Sequence, residues 1–157
     1  MRLFPKILLS VLLIQLLGGL GAAITSGEIK TWYVDLDKPP GTPPNWLFGP
    51  MWITLYAMIA VAFALVWHRA EPGKAKRVAL WCFAAQMLLN LIWTPVFFGL
   101  HQMFFALLVI VALWVGIVST IVLFKRLDRT AAYLMVPYLI WVSYATYLNA
   151  GNWWLNR

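Results

Sequence analysis

Five apolar runs separated by short polar segments divide the chain. Residues 7–27, 46–67, 78–98, 103–124 and 131–154 contain no Asp, Glu, Lys or Arg. Each is long enough for a helix to cross a hydrocarbon core roughly 30 Å thick. The pattern predicts an all-α membrane protein, a five-transmembrane-helix bundle forming one domain over 1–157, with helices near those bounds. The connections fall at 28–45, 68–77, 99–102 and 125–130. No internal period of 20–50 residues points to a repeat array.

The connection at 28–45 differs from the others. It belongs to the stretch 32–52, WYVDLDKPPGTPPNWLFGPMW, which holds five of the nine prolines and three of the ten tryptophans. Proline fixes φ and lacks an N–H, so neither a helix nor a central strand can run through KPPGTPP. Trp32, Tyr33 and Trp46 at its flanks are amphipathic aromatics of the kind that settle at a membrane–water boundary. The expectation is a stiff lid over the mouth of the bundle. Pro95 and Pro137, inside apolar runs, are expected to free the carbonyls of Leu91 and Tyr133 and to open kinks there.

Composition sharpens the class. A hydrophobic fraction of 63% with 11% charged residues lies outside the range of soluble domains. The net charge of +7 would suggest nucleic acid in a soluble protein. Here it sits in the connections, which makes it topology rather than a nucleic-acid patch. Arg2, Lys6, Arg69, Lys74, Lys76, Arg77, Lys125, Arg126 and Arg129 share one side, against Lys30, Lys38 and Arg157 on the other. The bias predicts a cytoplasmic N-terminus with 28–45 outside, in the cell (inner) membrane. The first run, with its basic start and small residues Gly21-Ala22-Ala23, also describes a cleaved leader. Its length and the small pairs Gly18/Ala22 and Gly19/Ala23 favour a retained helix.

Candidate chemistry is sparse. Charge-free spans argue against a proton- or sodium-coupled transporter. His68 and His101 fall on opposite sides, Cys82 is alone, and no metal site or hydrolytic set is expected. What remains is neutral polar groups and aromatics at helical spacing. Gln86, Asn90 and Thr94 run with Trp93 and Phe97; Tyr138, Trp141, Ala145, Asn149 and Asn152 form a second face; Trp52, Tyr56 and Phe63 form a third. Such amides serve either as glue between helices or as the polar points of a pocket. An apolar, aromatic-lined pocket suits a flat hydrophobic ligand. Ala112, Gly116 and Thr120, spaced by four, suit either a subunit seam or internal packing.

These residues resemble the translocator protein / tryptophan-rich sensory protein (TspO/MBR) family over nearly the whole chain. The marks are Trp32-Tyr33, Leu36, Lys38-Pro39, Pro43-Pro44 with Trp46, and Trp52 with Leu55-Tyr56. Asn90 with Trp93, Phe97-Phe98, Pro137-Tyr138, Trp141, Ala145 and Leu148-Asn149 follow. The resemblance implies five membrane helices, often as a homodimer, with a pocket at the lid end. It implies binding of porphyrins such as protoporphyrin IX, also sterols and benzodiazepine-type ligands, and no cofactor beyond the porphyrin as ligand. By position it carries over Tyr33, Trp52, Tyr56, Asn90, Trp93, Trp141 and Ala145. With Trp46, Phe97 and Tyr138 from the loop and the stripes, these make the expected ligand-binding set.

The expected function is a receptor-like porphyrin binder in tetrapyrrole regulation or stress response. The alternatives are a light- and oxygen-dependent porphyrin-degrading enzyme, in which Trp52 and Trp141 would be the catalytic residues, and a porphyrin or sterol transporter or assembly partner. Two features depart from the family pattern. Gly41 stands where an aromatic is frequent between Lys-Pro and Pro-Pro, and Tyr147 has no basic residue after it until Arg157.

Overall fold

The computed structural model describes residues 2–157. Six helices follow in order: α1 Leu3–Glu28, the short α2 Trp32–Asp35, α3 Phe48–Arg69, α4 Lys74–Thr94, α5 Met103–Leu127 and α6 Arg129–Leu155. All but α2 are long and apolar enough to cross a membrane. The protein is an all-α integral membrane protein.

The helices outrun the charge-free stretches that predict them, because a charge marks the edge of the hydrocarbon rather than the end of a helix. α1 starts at Leu3, with Pro5 in its first turn, where a missing N–H costs nothing. The connection expected over 125–130 contracts to Asp128. Asp128 caps α6 by accepting from the Ala131 N–H at 2.8 Å, and its other oxygen pairs with Arg69 at 3.0 Å. One carboxylate thus ends α5, starts α6 and ties both to the end of α3.

Pro95 widens its helix instead of ending it: Pro95–Gly99 forms a π-turn, closed by Leu100 N–H donating to the Pro95 carbonyl at 2.8 Å. α6 continues through Pro137. The lid is not all irregular, since α2 lies within it and a 3-10 turn, Asn45–Leu47, leads into α3.

Around the bundle the order is α1, α3, α6, α5, α4, with α1 meeting α4 chiefly at the π-turn. α1 is the least embedded of the five, with only Ser10 and Ile14 buried. The main core lies chiefly among the other four, includes Ile59, Ile117, Phe124, Met135 and Tyr138, and is joined from α1 by Ile14. A smaller cluster of Tyr33, Phe97, Phe98 and Ala106 sits under the lid.

The Gly116–Thr120 face packs inside the bundle, so these two positions are not a subunit seam. A Cβ at Gly116 would stand 2.9 Å from Gln86 Cβ, and the Thr120 hydroxyl donates to Cys82 Sγ at 3.5 Å. Ala112, one turn away, is exposed.

Candidate functional site

A cavity of about 490 Å³ opens under the lid, within the range of small-molecule sites. Four helices wall it. α3 contributes Phe48, Trp52 and Tyr56; α4 and its π-turn contribute Trp93, Thr94 and Phe98; α6 contributes Trp141 and Ala145. The fourth wall is α1, through Gln15, Gly18, Gly19, Gly21, Ala22 and Thr25. Trp46, Asn45 and Lys30 stand at its rim, and Trp46 is 72% exposed.

The aromatic walls are braced against one another. Trp52 stacks on Tyr56 with centroids 5.2 Å apart, and Phe48 meets Trp141 edge-on at 6.1 Å. Trp93 donates its indole N–H to Asn149 Oδ1 at 2.9 Å, and the Asn149 amide donates to the Met103 carbonyl at 2.8 Å. These bonds fix the rings that face the cavity and satisfy the polar atoms behind them.

Of the residues expected from sequence, Trp46, Trp52, Tyr56, Trp93, Trp141 and Ala145 line this cavity. Asn90 and Tyr138 do not. Both are buried behind Tyr56 in a chain of hydrogen bonds: Tyr56 to Asn90 at 2.7 Å, Asn90 to Tyr138 at 3.0 Å and Tyr138 to Gln86 at 3.1 Å. Gln86 and Asn90 therefore bond helix to helix, while Trp93 and Thr94, from the same stripe, face the cavity. Tyr33 and Phe97 line a second, much smaller cavity of about 30 Å³ with Asn152. Phe48, Trp93, Phe98 and Ala145 border both spaces and form the partition between them. Burial holds the Tyr33 phenol above its ordinary pKa of 10.0, a shift moderated by the Asn152 amide, so it stays neutral.

Sequence reasoning missed α1 as a wall. Its glycines read as packing positions, and one of them does pack: a Cβ on Gly18 would run into the Tyr56 ring. Gly19 meets nothing within 4 Å and faces open space. The density of small residues in GGLGAA was the available signal.

The lid is fastened to α6. Tyr144 donates to the Gly41 carbonyl, Tyr147 donates to the Pro40 carbonyl at 2.8 Å, and Asn156 both accepts from Asp37 N–H at 3.0 Å and donates to its carbonyl at 2.9 Å. Pro39 sits on Gly151, where a Cβ would come within 2.6 Å of the ring. Lys38 lies over the Tyr33 ring and donates to the Val34 and Leu36 carbonyls, which holds α2 to the proline segment. At the other edge His101 Nε2 lies 3.0 Å from Glu28 and its ring stacks on Trp32 at 4.1 Å, joining the end of α1 to the turn before α5.

Comparison with known proteins places this architecture. The model of the TspO/MBR family matches residues 10–155. Protein CrtK of Rhodobacter capsulatus is 40% identical over 139 residues, covering 88% of this chain and 85% of that protein. Tryptophan-rich protein TspO of Chlorobaculum tepidum is 40% identical over 84% of each chain. Translocator protein of Bos taurus is 37% identical over 92% of this chain and 87% of its own.

Proposed function

The chain belongs to the TspO/MBR family, and on that premise we propose that it is a membrane receptor-like protein that binds a porphyrin, protoporphyrin IX or a close relative, in the cavity under the lid. The observation that carries the reading is the set of Trp52, Tyr56, Trp93 and Trp141 around one uncharged interior. A large flat ring gains roughly 25 cal/mol for each Å² of apolar surface removed from water. The rings that receive it are already held in place, so little ordering opposes binding.

The test is a dark titration of the purified protein with protoporphyrin IX, followed by tryptophan fluorescence. Saturable quenching at micromolar ligand, lost in the Trp52→Leu/Trp141→Leu double variant, is the expected result. Non-saturating quenching equal in both proteins would mean partition into detergent or lipid and would sink the proposal.

A second reading, light- and oxygen-dependent breakdown of the bound porphyrin, draws on Trp52 and Trp141 facing the same cavity. Illuminating the saturated complex separates the two. Breakdown predicts a new absorbing product whose rate falls when either tryptophan is replaced; binding alone predicts quenching without product.

A further inference from the structure

Lys30 is the one charged side chain in the cavity lining among the described residues. It stands at the rim, where α1 gives way to the lid, while the rest of the lining is neutral: indoles, a phenol, aliphatic groups, the Gln15 amide and the hydroxyls of Thr25, Ser26 and Thr94. The other cations on this side are engaged. Lys38 is spent on the Val34 and Leu36 carbonyls and on the Tyr33 ring, and Arg157 lies 3.4 Å from the centroid of Trp154. Lys30 Nζ has no ion-pair partner among the described residues, and the neighbouring Glu28 is paired with His101.

Asn90 does not supply the polar end of the site, because its carbonyl and amide are used by Tyr56 and Tyr138. The cavity is therefore polarised in charge, with a free ammonium at the lid end and an uncharged, largely aromatic lining elsewhere. An anionic amphipathic ligand lowers its free energy most with its apolar body inward and its anionic group against that one charge. A carboxylate held at that rim gains a charge-assisted hydrogen bond without being dragged into a low-dielectric interior.

Resting on the porphyrin reading of this cavity, we propose that Lys30 is its specificity-determining residue. It selects flat apolar ligands that carry a carboxylate on their edge, and it sets their orientation. Neutral flat ligands enter the same space but lose this contact.

The experiment compares wild type, Lys30→Gln and Lys30→Arg in nanodiscs of zwitterionic lipid. Each is titrated in the dark with protoporphyrin IX and with its dimethyl ester, which keeps the ring and removes both carboxylates. Wild type should prefer the free acid by roughly fivefold to tenfold, and added salt should narrow the preference. Lys30→Gln should bring the acid down to the affinity of the ester and leave the ester unchanged; Lys30→Arg should restore the preference.

An acid-to-ester ratio that is the same in wild type and Lys30→Gln overturns the inference and leaves Lys30 as an interfacial anchor. Equal weakening of both ligands by Lys30→Gln overturns it too, since that is damage to the lid. If neither ligand saturates the wild type, the porphyrin reading itself has failed and the role of Lys30 goes with it.

Discussion

The Tyr56 hydroxyl donates to Asn90 Oδ1 across 2.7 Å, and Asn90 donates onward to Tyr138, so an amide one layer behind the cavity governs the attitude of a ring that faces it. Tyr56 in turn carries the stack with Trp52. The polar chain is buried, and each of its bonds crosses between helices: α3 to α4, then α4 to α6, then back to α4.

Asn90→Leu should therefore act first on stability. It leaves the Tyr56 hydroxyl without its acceptor in a buried setting, a loss of about 1–3 kcal/mol. The expected outcome is a clear fall in Tm in nanodiscs, with a smaller loss of porphyrin affinity than in Trp52→Leu. A variant with unchanged Tm and abolished binding would make Asn90 a direct ligand contact.

Gly18 and Gly19 are adjacent in α1 and should respond in opposite ways. A Cβ at Gly18 overlaps the Tyr56 ring and must displace either the ring or α1, which places the cost of Gly18→Ala at about 1–3 kcal/mol. Gly19 faces open space, and alanine there gains about 0.5–1 kcal/mol from helix preference. Thermal melts of the two variants side by side check this. Equal destabilisation would mean that α1 does not sit on α3 as described.

Orientation in the membrane is open to a direct test, and the charge bias predicts its result. In a Cys82→Ala background, Asp35→Cys in the lid should react with an impermeant maleimide on intact cells. Ala75→Cys, in the first turn of α4, should react only after permeabilisation. Both positions are exposed. The reverse pattern would put the lid in the cytoplasm.

Much of this architecture was legible in the residues, for reasons that also mark the limit. A charge-free run must bury its backbone as helix in lipid, so the five spans follow from composition alone. KPPGTPP cannot be helix, so the lid follows too. Trp52 and Tyr56, or Trp93 and Phe97, share a face by spacing, and the structure sets each pair as a stack.

What spacing cannot tell is which neighbour a face meets. Asn90 has the same periodicity whether it points into a cavity or at the hydroxyl of Tyr138. The helix ends were hidden for a different reason: Asp128 reads as a loop residue, and only its bonds to Ala131 and Arg69 make it the corner of two helices. α1 is apolar all round, so no period separates its lipid-facing leucines from the glycines that face the cavity.

The fastening of the lid to α6 has a consequence for how the site comes into being. Its bonds join residues 103 to 119 positions apart, from Pro40 and Gly41 to Tyr147 and Tyr144 and from Asp37 to Asn156. At a synthesis rate of about 5–20 residues per second, the proline segment waits several seconds on the ribosome before its anchors exist. In that interval the nascent protein is a bowl lacking the wall that holds Trp141 and without a clasp for its cover. The cavity gains both its last wall and the anchors of its cover from α6, so a stall before α6 yields an inserted chain that has the other walls and nothing to hold the lid down.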